Sequence, residues 1–140
     1  MTIKAQDVKE LREKTGLGMM ECKKALEEAK GNLEEAIKNL RKSSALKAEK
    51  KASRTAVEGI IISKISDNEI TFVEVNCETD FVAKDENFIN FCEEALKVAV
   101  DTSSEENLLD EVSERMEKQR MALVQKIGEN IIIRKVKKIT

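Results

Sequence analysis

A change in hydrophobic period constrains this 140-residue chain more than any other feature of its sequence. Residues 57–65 and 69–77 are rich in β-branched side chains, and the Ser66-Asp67-Asn68 segment between them is a turn signal. Segments with the period of amphipathic helices lie before and after this pair. The pattern therefore predicts a β-hairpin between helical regions, although alternation within the second strand assigns no single buried face.

The first 42 residues predict a bundle of three short helices. Val8 and Leu11 mark one face of the first helix. Gly31 is placed to end the second helix, and Asn32 is placed to cap the third. A buried stripe is predicted on the second helix from four residues at helical spacing: Met19, Cys22, Leu26 and Ala29.

The two methionines at the start of the second helix have two interpretations. The favoured one is that Met19 and Met20 fill the core together with Cys22. Exposed methionines at this position would instead form an adaptable binding surface.

Residues 43–56 predict a basic, partly helical connector, because Ala and Lys favour helix while Ser and Thr weaken it. The simplest interpretation of its charges is a solvated face. The alternative is electrostatic steering toward an acidic protein surface or RNA.

The remainder of the chain predicts a core domain over residues 57–140. A helix is expected over 85–101 with Asp85 as its N-cap, then a polar break at 102–107. A second helix is expected over 108–127 and is ended by Gly128, and residues 130–139 have strand character. The fold class is therefore α+β, with a bundle at 1–42, a connector at 43–56 and a three-stranded antiparallel sheet packed with two helices.

Composition excludes several classes of function. The chain has no His, so the commonest general base and the usual nucleophile pairs are missing. Its three Cys are widely spaced, which indicates neither a disulfide framework nor a zinc site. A net charge of −2 gives no overall field for nucleic acid, and no apolar run is long enough for a bilayer. We expect a cytoplasmic protein that is not an enzyme and binds no cofactor.

The segment VNCETDFVAK at 75–84 is the strongest candidate for function, because it joins a predicted strand to a predicted helix. Glu78 and Asp80 suit the start of a helix, where carboxylates satisfy free backbone N–H groups. The alternative is a pair of catalytic acids in a hydrolase, which would require a concave pocket. Phe81 fits either a core position or an exposed binding position.

Three motifs together resemble bacterial elongation factor Ts: TGLGMMECKKAL at 15–26, VNCETDFVAK at 75–84, and KIGENIIIRKV at 126–136. The resemblance covers nearly the whole chain in the same order. It implies a ubiquitin-associated-like N-terminal bundle and a core domain that both bind the GTPase elongation factor Tu. The implied function is guanine nucleotide exchange, with no catalytic residue and no direct contact with nucleic acid.

The resemblance also implies which residues bind the GTPase. The corner Thr79, Asp80, Phe81, Val82 and Ala83 would disturb its Mg²⁺ and phosphate site, with Asp80 and Phe81 as the intruding pair. Two further regions are implied: a second contact loop at Ile127 and Gly128, and an N-terminal contact at Met19, Met20 and Lys23.

The chain resembles the short members of the family, in which one core half is completed by a second subunit. A homodimer through the sheet and its helices is therefore expected. The alternative function is a dimeric adaptor that binds elongation factor Tu or the ribosome without strong exchange activity. Exposure of Phe81 distinguishes the two functions, because a wedge must protrude whereas an adaptor would bury this side chain.

Overall fold

The computed structural model describes residues 2–104 and 106–140. Residue 105, in the predicted polar break, lies outside the described residues. The predicted α+β fold class is confirmed. The helices are α1 (Ala5–Thr15), α2 (Met19–Glu28), α3 (Leu33–Lys51), α4 (Asp80–Ala83), α5 (Glu86–Asp101) and α6 (Leu108–Ile127), and the strands are β1 (Glu58–Ser66), β2 (Glu69–Cys77) and β3 (Ile132–Ile139).

Helix α1, helix α2 and the first half of α3 enclose a small core of their own, built mainly from Leu11, Leu17, Cys22, Leu26, Ala36 and Leu40. Asn32 caps α3 as predicted, because its side-chain oxygen accepts the N–H of Glu35 at 3.1 Å. The predicted stripe on α2 is wrong at its first position. Met19 is 57% exposed and Met20 is 72% exposed, so only the remainder of the stripe is buried.

The third helix continues beyond residue 42 to Lys51, through most of the predicted connector. Ser44 and Ala48 are buried along this second half of α3, and Ala48 belongs to the large core of the sheet and its helices. Packing against α6 therefore stabilises a segment in which local propensity alone is weak. A single helix connects the N-terminal bundle to the core domain.

The sheet is antiparallel with strand order β1-β2-β3. One face of β2 carries Thr71, Val73, Val75 and Cys77, all buried, and α5 and α6 cover this side. The opposite face, here called the open sheet face, carries apolar side chains from all three strands: Ile61, Ile65, Ile70, Phe72 and Ile139. The faces that sequence alternation left open are thus assigned.

Helices α5 and α6 follow the sequence prediction closely. Asp85 caps α5 by accepting the N–H groups of Asn87 and Phe88 at 2.9 and 3.3 Å. Gly128 ends α6 in the left-handed region at φ 87°. Among the described residues, no helix combines the length and apolar character that crossing a membrane would require.

Candidate protein-binding site

Phe81 protrudes from the corner between β2 and α5, where its side chain is 83% exposed. It lies in α4, a helix of four residues with no buried member. Thr79 is the N-cap of this helix, since its hydroxyl oxygen accepts the N–H of Val82 at 3.4 Å. Asp80 lies in the first turn of α4, at a helix start as predicted, but the cap of that helix is Thr79 and the Glu78 carboxylate binds Asn130 instead. The predicted cap of α5 by Asp85 is confirmed.

The carboxylate of Glu129, from the loop after α6, holds the same corner. One oxygen accepts the backbone N–H groups of Glu78 and Thr79, each at 3.0 Å. The other oxygen accepts the Thr79 hydroxyl at 2.7 Å. One ionised side chain thus receives three hydrogen bonds, which are stronger than bonds between neutral groups.

A reciprocal bond runs in the opposite direction between the two segments. The Glu78 carboxylate accepts the backbone N–H of Asn130 at 2.7 Å. The buried side chain of Asn130 donates to the carbonyl oxygens of Arg54 at 2.9 Å and Ala52 at 3.4 Å. The strand-to-helix corner, the loop after α6 and the end of the α3–β1 connection are therefore joined in one network.

Two buried thiols lie close to this corner. Cys77 donates its S–H to the carbonyl of Thr79 at 3.2 Å. Burial, with the nearby Glu129 carboxylate as the next contribution, raises the pKa of Cys77 to about 11. Burial, reinforced by Cys77, raises the pKa of Cys92 to about 12. Both thiols stay protonated at neutral pH and are poor nucleophiles.

The structure brings two of the three predicted contact regions together. Asp80 and Phe81 are exposed, while Thr79, Val82 and Ala83 are half-buried. The predicted second loop, half-buried Ile127 and Gly128, directly precedes Glu129 and so adjoins the corner.

The third predicted region, formed by Met19, Met20 and Lys23, is exposed on α2 of the bundle. Glu21, which lies beside these residues on α2, connects this region to the core domain. Gln125, near the end of α6, donates to the Glu21 carboxylate at 3.0 Å. Helix α2 is therefore tied to the same end of α6 from which the second loop begins.

The arrangement does not suit the hydrolase alternative. Glu78 is engaged with Asn130, whereas Asp80 is exposed. Cavities of about 370 and 250 Å³ lie beside α6 and are lined by other residues. Over residues 2–104 and 106–140, no group of acidic and Cys residues is arranged to hold a metal ion.

Sequence reasoning missed the roles of Glu129 and Asn130. Both lie in the KIGEN stretch, but only Ile127 and Gly128 were predicted to act there. Their function depends on residues about 50 positions away, which no local pattern indicates. The available signal was the pair of polar residues, Glu129 and Asn130, directly after the helix-ending Gly128.

An exposed aromatic side chain on a corner fixed by partly buried polar contacts is typical of a protein-binding module. The family model described as Elongation factor TS matches residues 78–140. The match begins at the corner and includes the loop after α6.

Similar curated proteins cover nearly the whole chain. Elongation factor Ts of Marinobacter nauticus is 58% identical over 98% of this chain and 48% of its own length. The protein of the same name in Hahella chejuensis is 53% identical over 95% of this chain and 47% of its own length. Elongation factor Ts of Shewanella oneidensis is 51% identical over 99% of this chain and 48% of its own length. The chain belongs to the elongation factor Ts family, and it spans about half the length of the curated relatives it matches.

Proposed function

We propose that this chain is a guanine nucleotide exchange factor that acts on elongation factor Tu during translation in the cytoplasm. The observation that supports this function best is Phe81, 83% exposed on a corner that three hydrogen bonds to Glu129 hold in place. A protruding Phe is what a wedge requires, and burial of this side chain was the feature expected of an adaptor.

The physical requirement on such a factor is differential binding. A nucleotide bound at about 1 nM is held by about 12 kcal/mol. With an association rate of about 10⁵–10⁷ M⁻¹s⁻¹, it leaves only about once in 10²–10⁴ s. A factor that prefers the nucleotide-free GTPase weakens nucleotide binding tenfold for each ~1.4 kcal/mol of that preference, and the effect is reciprocal.

Phe81 can supply part of this preference. Burying an exposed Phe side chain is worth about 1.5–3 kcal/mol. If that burial occurs fully only when the Mg²⁺ and phosphate site is disturbed, its removal lowers the acceleration roughly 10- to 150-fold. Asp80, exposed beside Phe81, provides a charge for the same contact. No proton transfer or covalent step is needed.

The deciding experiment measures release of a fluorescent GDP analogue from elongation factor Tu with the native chain, Phe81→Ala or Leu46→Ala. Leu46 is 60% exposed on α3 and serves as a matched control for loss of an exposed apolar side chain. We expect strong acceleration by the native chain and the control, and a loss of at least tenfold in Phe81→Ala.

Binding without acceleration by the native chain would favour the adaptor function instead. Equal acceleration by Phe81→Ala and the native chain would contradict the role of the wedge. The N-terminal contact is tested in the same assay with Met20→Ala. Met20 is 72% exposed on α2, and its removal should raise the concentration of this chain that gives half-maximal acceleration of GDP release.

A second copy of this chain is the proposed partner of the open sheet face. Ile61 and Ile65 are 67% and 73% exposed there, and a contiguous exposed apolar patch is typical of a protein-interaction surface. Glu74 pairs across the strands with Lys135 on this face. Charges of both signs suit a two-fold contact in which the acid of each copy meets a lysine of the other.

Sedimentation of the native chain, Ile65→Asp and Leu46→Asp tests the homodimer. We expect a dimer for the native chain and for Leu46→Asp, and a monomer for Ile65→Asp, because a buried unpaired carboxylate is costly. A monomeric native chain at tens of micromolar would exclude the proposed dimer.

A further inference from the structure

Helix α4 is too short to fix its own direction. A helix of four residues gains little from its own hydrogen bonds, because nucleation is unfavourable. Only half-buried Val82 and Ala83 pack against the core of the sheet and its helices, while Asp80 and Phe81 are exposed, so core packing holds α4 through its C-terminal half alone. The direction in which Phe81 projects must therefore depend on groups outside α4.

Glu129 is the group best placed to set that direction. It receives the N–H groups of Glu78 and Thr79, the two residues at which the chain leaves β2 and turns into α4. It also accepts the hydroxyl of Thr79, whose oxygen in turn caps the helix through Val82. A shift of Glu129 would thus release both the bend and the cap.

Glu129 is itself held on both sides. Gly128 before it takes the left-handed conformation that ends α6. Asn130 after it is 1% exposed and is bonded to Glu78 and to the carbonyls of Ala52 and Arg54. The carboxylate is therefore a fixed point of the core domain to which the start of α4 is attached.

We propose that Glu129 is a positioning residue, which presents Phe81 to the GTPase in a set orientation without itself forming the wedge. Preorganisation of this kind raises affinity by reducing the ordering cost of binding. The inference rests on the proposed exchange function for one of its two tests, and the other test needs no partner.

The first test is amide hydrogen exchange of the isolated chain carrying Glu129→Gln. Gln has nearly the same shape, but its NH₂ group replaces the oxygen that accepts the Thr79 hydroxyl, and its remaining oxygen offers the N–H groups of Glu78 and Thr79 only weaker, uncharged hydrogen bonds. We expect at least tenfold faster exchange at the N–H groups of Glu78 and Thr79, with the amides of α6 unchanged. The control is Glu114→Gln, because Glu114 is exposed on α6.

Changes below twofold at Glu78 and Thr79 would overturn the proposal. Equal acceleration of the α6 amides would overturn it as well, because Glu129 would then stabilise the whole domain and not the corner. Neither result depends on whether the chain promotes nucleotide exchange.

The second test is a double-mutant cycle in the GDP-release assay. Glu129→Gln alone should lower the acceleration about tenfold. In the double variant, Glu129→Gln should lower the GDP-release rate by less than a further factor of two relative to Phe81→Ala, because the side chain that Glu129 positions is already missing. Independent, multiplicative losses would contradict positioning. If the native chain fails to accelerate release, the proposed function fails, while the amide exchange result still decides the role of Glu129.

Discussion

Gln125 of the core domain makes side-chain hydrogen bonds to both α2 and α3, in addition to the packing of α3 on α6. Its side-chain oxygen accepts the hydroxyl of Ser44 on α3, and its NH₂ group donates to Glu21 on α2 at 3.0 Å. Ser44 is only 4% exposed. Replacing Gln125 by Ala therefore leaves a buried hydroxyl without this partner, which costs about 1–3 kcal/mol.

The loss of the Glu21 bond adds less, because the Glu21 side chain is 38% exposed and retains Lys47 at 3.6 Å. We expect Gln125→Ala to lower the free energy of unfolding by about 2 kcal/mol in all. The assay is urea unfolding of four proteins: native, Ser44→Ala, Gln125→Ala and the double variant. Gln119→Ala, at an exposed position of α6, is the matched control and should change stability by less than about 0.5 kcal/mol.

The double variant is the decisive member of this cycle. Removing the Ser44 hydroxyl as well should recover about 1 kcal/mol of the loss in Gln125→Ala, because no buried donor then lacks its partner. A coupling energy near zero, or a Gln125→Ala protein as stable as the control, would refute the view that this polar contact docks the bundle.

Two further predictions concern stability. Gly59 has a φ of 145°, and a Cβ added to it would lie 2.0 Å from the carbonyl oxygen of Val75, so Gly59→Ala should lower the free energy of unfolding in urea by about 3 kcal/mol or more. In the control Gly18→Ala, the added Cβ has no atom within 4 Å, and the loss should be about 1 kcal/mol or less. Equal losses in the two variants would contradict the clash. Thiols titrate near pH 8.5 when unfolded, whereas burial raises the pKa of Cys77 to about 11 and of Cys92 to about 12. The contribution of the two protonated thiols to stability is thus complete below pH 8.5 and is lost as pH rises through their folded pKa values. The free energy of unfolding should therefore fall above pH 9, and it should fall less steeply in Cys92→Ala. Identical pH profiles for the native chain and Cys92→Ala would show that Cys92 does not cause this fall.

Sequence predicted those elements whose signals are local. The turn at Asp67, the caps at Asn32 and Asp85 and the end of α6 at Gly128 all use a residue that acts within a few positions of itself. Strand and helix periods were strong enough to give the α+β class. These features needed no knowledge of tertiary packing.

The remainder depended on contacts distant in the chain. Residues 43–56 were predicted as a partly helical connector because Ser and Thr weaken a helix, yet packing against α6 continues α3 without a break to Lys51, with Ser44 and Ala48 buried. The resemblance to a known family indicated Phe81 and its neighbours as binding residues. It gave no account of what holds them, because Glu129 is 50 positions from Thr79.

The continuous α3 also fixes a rotational phase between the two halves of the molecule. Each residue of a helix advances about 1.5 Å and turns about 100°. One residue inserted after Leu40 would therefore rotate the bundle, with the methionines of α2, by about a quarter-turn around the α3 axis relative to Phe81. Seven inserted residues, close to two full turns, would nearly restore that bearing at about 10 Å greater separation. Length changes in this helix are thus expected to preserve the bearing of the bundle only in steps of whole turns.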